Sequence, residues 1–132
     1  MMRILLAEDH EDNRDMLSRR LRKRGFEVLL AQDGLEAVAR TRAERPDLVL
    51  MDWSMPNLSG LDAIAAIRSD PAIADTPVIA LTAHAGCQNR DACLQAGANA
   101  FATKPVDFKA LLRLIGDYQR TPRRPRELGD DA

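Results

Sequence analysis

Residues Asp47–Pro56 read DLVLMDWSMP. Leu48, Val49, Leu50 and Met51 form an unbroken apolar run, and a carboxylate, Asp52, stands directly at its end. A strand with one wet face alternates apolar and polar residues. A run that is apolar at every position belongs to a strand covered on both faces, the condition of a parallel sheet flanked by helices. Open α/β sheets bind their ligands at the carboxyl ends of their strands. If the rest of the chain builds such a sheet, Asp52 stands where its chemistry is done.

The flanking segments have the required alternation. Arg3–Ala7 (RILLA), Glu27–Ala31 (EVLLA), Val78–Leu81 (VIAL) and Ala100–Thr103 (AFAT) are further short apolar runs. Between them lie helical patterns. Residues 12–25 (DNRDMLSRRLRKRG) end at Gly25 with basic residues in the last turns, which suits the helix dipole. Asp33 and Glu36 have capping-box spacing and open a helix that runs through about Glu44. Residues 60–69 and 87–97 give two more helices. Phe108, Leu111, Leu112 and Ile115 stand at i, i+3, i+4 and i+7 and define an amphipathic final helix. Five strands, each followed by a helix, make an α/β domain with a parallel sheet. The domain is expected over residues 1–118. Residues 119–132 carry two prolines, many charges and one large apolar residue, and are expected to form a flexible tail.

Bulk properties narrow the function classes. A chain of 132 residues is one domain in size and should bury about two-thirds of its unfolded surface. Its formal net charge is -1, so no global charge directs it to nucleic acid. No apolar run is long enough to span a bilayer. The start, MMRILLAEDH, lacks the serial regions of a signal peptide. Cys87 and Cys93 do not make a disulfide framework. The expectation is a reduced, cytoplasmic protein without a membrane partner.

The strand exits carry the chemistry. The first strand ends at Glu8 and Asp9, the third at Asp52, the fourth at Thr82, and the fifth at Thr103, Lys104 and Pro105. One rim of the sheet would hold three carboxylates, a hydroxyl and an ammonium. Two like unit charges ~4 Å apart cost about 4 kcal/mol at an effective dielectric of 20, so the cluster calls for a cation. Oxygen-only ligands suit a hard divalent ion, Mg²⁺ above all. An aspartate can act as nucleophile and form an aspartyl-phosphate. Lysine and metal would neutralise phosphoryl oxygens, and a threonine hydroxyl would hydrogen-bond one. The combination reads as phosphoryl transfer to Asp52.

At this point the chain resembles the receiver domain of bacterial response regulators. The motifs that carry the resemblance are LLAED, LVLMDWSMPNLSG, PVIALTA and AFATKP, in that order, and the match runs from about Arg3 to Tyr118. It implies a flavodoxin-like (βα)5 doubly wound parallel sheet of strand order 2-1-3-4-5, in a stand-alone regulator. It implies Asp52 as phosphoacceptor, with Thr82 and Lys104 binding the phosphoryl group. Asp9, Asp52 and the backbone carbonyl of Ser54 would ligate Mg²⁺, and Glu8 would do so through water. Thr82 and Phe101 would be the switch pair. Ser54 and His84, each two residues past a site residue, would tune the lifetime of the phosphorylated form. The Lys104–Pro105 bond is expected to be cis. Implied partners are a histidine kinase or histidine phosphotransfer protein, a downstream protein target and a phosphorylation-dependent second copy.

Other features read more plainly. Cys87 and Cys93 have five intervening residues, wider than a zinc knuckle, and read as ordinary helix cysteines even with His84 nearby. His10 reads as loop, without a role. The cluster Arg19, Arg20, Arg22, Lys23 and Arg24 reads first as a solvated helix end and second as a docking edge. Trp53 reads as packing. Arg120, Arg123, Arg124 and Arg126 in the tail are countered by Glu127, Asp130 and Asp131, and no DNA binding is expected from this chain. The competing readings are a partner-binding pseudo-receiver and a haloacid-dehalogenase-like phosphatase. The latter wants an acid two residues past the nucleophile, where Ser54 stands. A dinucleotide-binding reading fails because AEDHEDN after the first strand is acidic rather than glycine-rich.

Overall fold

Each apolar run forms a strand of a single sheet in the computed structural model. It describes residues 2–53, 55, 57–82, 91 and 94–120, the last two of these by backbone alone. The elements are β1 (Arg3–Ala7), α1 (Glu11–Lys23), β2 (Glu27–Ala31), α2 (Gly34–Glu44), β3 (Leu48–Asp52), α3 (Gly60–Ser69), β4 (Val78–Thr82), β5 (Ala100–Thr103) and a C-terminal helix (Phe108–Arg120). All strand pairs are parallel, and the order is β2-β1-β3-β4-β5. This is the flavodoxin-like arrangement expected from the sequence. Of the helix expected over residues 87–97, 91 and 94–96 are helical and the remainder up to 93 lies outside the described residues, as does the tail beyond Arg120.

The continuous apolar runs are explained by two cores, one on each face. Successive strand side chains point to opposite faces. Leu48 and Leu50 of β3 join Ile4, Leu6, Ile79 and Leu81 against Leu17 and Leu21 of α1 and Leu111 and Ile115 of the C-terminal helix. Val49 and Met51 join Leu5, Ala7, Val78 and Ala80 against Ala37 and Val38 of α2 and Ile64 and Ile67 of α3. Residues 48–52 and 78–82 are buried at every position.

Element ends follow local chemistry. Asp33 caps α2, accepting a hydrogen bond from the Glu36 amide at 2.8 Å, while Glu36 reaches back to the Gln32 amide at 2.7 Å. This is the capping box read from the sequence, its return bond falling one residue earlier. Ser59 caps α3, accepting from the Asp62 amide at 3.2 Å, a cap the sequence reading passed over. Gly25 follows α1 with φ 93, a left-handed position that favours glycine. Strands β3 and β4 each run one residue beyond the apolar stretch, because Asp52 still pairs with Leu81 and Thr82 with Thr103. The Lys104–Pro105 peptide is cis, as expected. Among the described residues no helix is long and apolar enough to cross a membrane.

One glycine fixes how α3 meets the sheet. The Gly60 amide donates to the Trp53 carbonyl at 3.0 Å, and a Cβ at Gly60 would lie 2.4 Å from the Asp52 carbonyl oxygen. The first turn of α3 therefore packs directly on the backbone that ends β3. Gly60→Ala should cost about 1–3 kcal/mol through overpacking against a backbone that has nowhere to go. Urea unfolding checks this. Ala65→Gly, at an exposed position of the same helix, should lose only about 1 kcal/mol, the propensity difference.

Candidate functional site

The alternation that builds the two cores also assembles a charged site. Ile4 and Leu6, Leu48 and Leu50, and Ala100 and Ala102 all face the side of α1 and the C-terminal helix. Continuing each series by one step gives Glu8, Asp52 and Lys104. These three side chains meet at the carboxyl end of the sheet. Lys104 Nζ donates to Asp52 Oδ2 at 2.9 Å and to Glu8 Oε1 at 3.2 Å. In the order β1-β3-β4-β5, β5 lies two strand spacings from β3, roughly 10 Å. Only a long side chain crosses that gap, which is why the cation is a lysine.

Backbone bonds hold the exits. The Glu8 amide donates to the Ala31 carbonyl at 3.0 Å, the Trp53 amide to the Leu81 carbonyl at 2.7 Å, and the Lys104 amide to the Thr82 carbonyl at 2.7 Å. Arg14 donates to the Glu8 carbonyl at 2.9 Å. Glu8, Asp52 and Thr82 are buried. Burial pushes the Asp52 carboxyl up to about 6; the Lys104 hydrogen bond and charge work against this and the Glu8 charge adds to it. Burial also opposes the Lys104 ammonium, but the hydrogen bond and charge of Asp52, with those of Glu8, outweigh it and hold the lysine above its ordinary value.

Glu8, Asp9, His10 and Asp52 each place one potential ligand atom within 4.8 Å of the others. Asp9 Oδ1 is buried without a hydrogen-bond partner among the described residues. A buried carboxylate oxygen left unsatisfied is costly unless a cation completes it. Three carboxylates against one ammonium leave two negative charges, the amount a divalent ion cancels. The residues fit an oxygen-ligated ion of the Mg²⁺ class.

The sequence-derived site residues separate into three groups. Glu8, Asp9, Asp52 and Lys104 come together as one cluster. Thr82, at the end of β4, continues the Val78–Ala80 series on the opposite sheet face, and Phe101, paired with Ala80 in register, packs partly buried against that same core. Thr82 and Phe101 are thus diagonal neighbours on adjacent strands. Ser54 and His84 lie outside the described residues. His10, read as featureless loop, stands at the cluster: its Nδ1 is 3.3 Å from both Glu8 Oε2 and Asp9 Oδ1. The signal for it was its position immediately after Asp9.

The family profile described as the response regulator receiver domain matches residues 4–116, and the chain belongs to that family of phosphorylation-switched signalling domains. Among its relatives is the polar-differentiation response regulator DivK of Brucella anthropi, 32% identical over 115 residues that cover 87% of this chain and 94% of DivK. The receiver domain of a sensor histidine kinase from Pseudomonas aeruginosa, solved with a magnesium ion coordinated in its active-site cleft, is 38% identical. It superposes with a TM-score of 0.83 over 89% of this chain and 96% of that one. The receiver domain of Francisella response regulator 1452 superposes with a TM-score of 0.85 at 28% identity, covering 92% of this chain and 100% of that one.

The raised Asp52 carboxyl has a consequence for stability. Its folded value of about 6 exceeds the ordinary 3.8, so the folded state holds the proton more tightly than the unfolded chain. Metal-free protein therefore loses stability as pH rises through that interval, and the full penalty persists above it. Asp52→Asn removes the penalty. With chelator present the variant should exceed wild type by about 1–3 kcal/mol at pH 7.5, and the difference should shrink towards zero below pH ~4. Denaturation at the two pH values measures it.

Proposed function

We propose that Asp52 accepts a phosphoryl group from a phosphorylated histidine kinase or histidine phosphotransfer protein, and that the modified domain signals by contact with other proteins. The observation that carries this reading is the Lys104 ammonium, bonded to Asp52 Oδ2 at 2.9 Å beside a second buried acid, Glu8. That arrangement places a fixed positive charge at the carboxylate that would react.

An Asp52 oxygen attacks phosphorus while the bond from phosphorus to the donor imidazole nitrogen breaks. The electron pair leaves with that nitrogen, which takes up a proton, and Asp52 becomes an acyl phosphate. Lys104 turns from the free carboxylate to the phosphoryl oxygens, and the Thr82 hydroxyl donates to another of them. Asp9, Asp52 and the backbone carbonyl of Ser54 would hold Mg²⁺, with Glu8 reaching it through water. The ion supplies divalent positive charge against the oxygens of the incoming group. Ser54 and His84, each two residues past a site residue in the sequence, would set the rate at which water later hydrolyses the acyl phosphate.

Output follows from movement of Thr82. Phosphorylation adds strong acceptor oxygens at the rim. When Thr82 turns towards them it vacates volume beside Phe101, its diagonal neighbour, and the aromatic ring repacks. The affected surface, along β5 and the C-terminal helix, is where a target protein or second copy would read the change. The exposed basic end of α1 would meet the kinase or phosphotransfer protein, all in the cytoplasm. DivK, a response regulator of which this chain spans 94%, supports output from a domain of this size. The folded unit is taken to run through the C-terminal helix, which ends at Arg120, two residues past the boundary expected at Tyr118.

Treatment with a small phosphodonor and Mg²⁺ should add one phosphoryl group to Asp52, detected by mass spectrometry. Asp52→Asn should abolish it, and chelation of Mg²⁺ should reduce it at least tenfold. Undiminished modification in Asp52→Asn would refute the assignment. Thr82→Ala should still accept phosphate, while its amide shifts along β5 and the C-terminal helix should fall well below those of phosphorylated wild type. Equal shifts in the two proteins would refute the coupling.

A further inference from the structure

We propose that His10 is an additional metal donor, so that the acidic site takes borderline first-row transition ions such as Co²⁺ more tightly than its oxygen ligands alone allow. This rests on the reading that the Glu8–Asp9–Asp52 cluster holds a divalent cation.

Three observations place the ring there. The His10 backbone amide donates to Glu8 Oε2 at 3.2 Å, so the main chain of residue 10 is tied to the cluster. Its Nδ1 lies 3.3 Å from that same Glu8 oxygen and 3.3 Å from Asp9 Oδ1, the buried atom that lacks a hydrogen-bond partner among the described residues. Lys104 occupies the other Glu8 oxygen, Oε1, so the two ends of Glu8 are divided between an ammonium and an imidazole. One atom each from Glu8, Asp9, His10 and Asp52 falls within 4.8 Å of the rest, and an inward adjustment of a few tenths of an ångström would bring all four to one ion with bonds of roughly 2.1 Å.

The chemistry of the ring determines which ions gain. The His10 side chain is 70% exposed, so Nε2 has access to water. The neutral tautomer with its proton on Nε2 presents the Nδ1 lone pair to the cluster. Mg²⁺ is a hard ion that favours oxygen and gains little from a nitrogen ligand. Co²⁺ and its neighbours gain substantially from imidazole. The effect of His10 should therefore be selective among metals rather than a general increase in affinity.

Trp53, the sole tryptophan, directly follows Asp52 and reports binding by fluorescence without any phosphotransfer. Mg²⁺ and Co²⁺ titrations of wild type and His10→Asn would be compared, with circular dichroism confirming the fold and His10→Ala run in parallel. Asparagine caps helices well and offers an oxygen in place of the nitrogen. The expected result is a Co²⁺ dissociation constant raised at least about tenfold in His10→Asn, with that for Mg²⁺ within about twofold. Mg²⁺ should displace Co²⁺ from the wild type. An unchanged ratio of the two constants, or Co²⁺ that Mg²⁺ does not displace, would overturn the role of His10 while Mg²⁺ binding stands. Absence of any Mg²⁺ response in wild type, by fluorescence and by amide shifts around Asp9, would overturn the cation site and His10 with it.

Discussion

Two buried carboxylates share one ammonium at the end of the sheet, and the rest of the molecule is arranged around that constraint. Glu8 and Asp52 are shut from solvent by the cores that define the fold. Isolated there, each would cost several kcal/mol in lost hydration. Lys104 bonds to both, but one positive charge does not balance two buried acids and the adjacent Asp9. The upward displacement of Asp52 to about 6 expresses the remainder, with burial as its main cause. On the function proposed above, this unfavourable charge would be completed from outside. A cation and then a phosphoryl group would meet charges already gathered at the rim, and Lys104 would need only to turn from one oxygen to another.

This organisation depends on the sheet more than on the loops. Strand alternation brings Glu8, Asp52 and Lys104 to one side, and parallel pairing brings their strands to one end. The hydrogen bonds from the Trp53 and Lys104 amides extend the ladder one residue past the apolar runs, so the reactive groups sit on the last rigid rung. On the other face, Thr82 completes the series above Phe101. The two faces therefore separate the two requirements of a switch. One collects charge, and the other leads into a packed core where small displacements are felt.

The sequence carried the frame of this site and concealed its closure. LVLM could be read as a two-sided strand because every position in it must be apolar, and the carboxylates stood out because they end such runs. Which acids Lys104 would reach was not legible, since the answer depends on strand order and on a gap of two strands. His10 was passed over because an exposed histidine in a loop has no periodicity to betray it; only the fold shows its ring between Glu8 and Asp9. Gly60 was equally silent. Its constraint is the Asp52 carbonyl, eight residues earlier in the chain, and a helix-opening glycine gives no hint of that contact. Ser59 and Asp62 did have cap spacing in the sequence, and the structure uses it.

Opposite the site, the amino ends of β4 and β5 are bound by a different device. Arg68 of α3 donates to the carbonyls of Ala74, Thr76 and Gly97 and to Asn99 Oδ1, at 2.6–2.9 Å. Asn99 Oδ1 also accepts from the Val78 amide at 2.8 Å, so one guanidinium joins α3 to the entries of both strands. Burial draws the Arg68 guanidinium below its ordinary value, against the opposing charge of Asp75. Gly97, with φ 112, leaves room for the arginine; a Cβ there would lie 2.8 Å from Arg68 Cγ. The entries of β4 and β5 are thus held by several neutral acceptors around one charge, and none of those bonds involves the rim. At their exits stands Lys104, bonded to two acids, a balance that would change if a cation or phosphoryl group entered. A strand pair anchored at one end and electrostatically poised at the other has the layout of a lever. On the coupling proposed above, a change of charge at Asp52 would shift Thr82 and Phe101 while the strand entries stayed fixed, and displacement would be directed across β5 towards the surface instead of being lost in general loosening of the sheet.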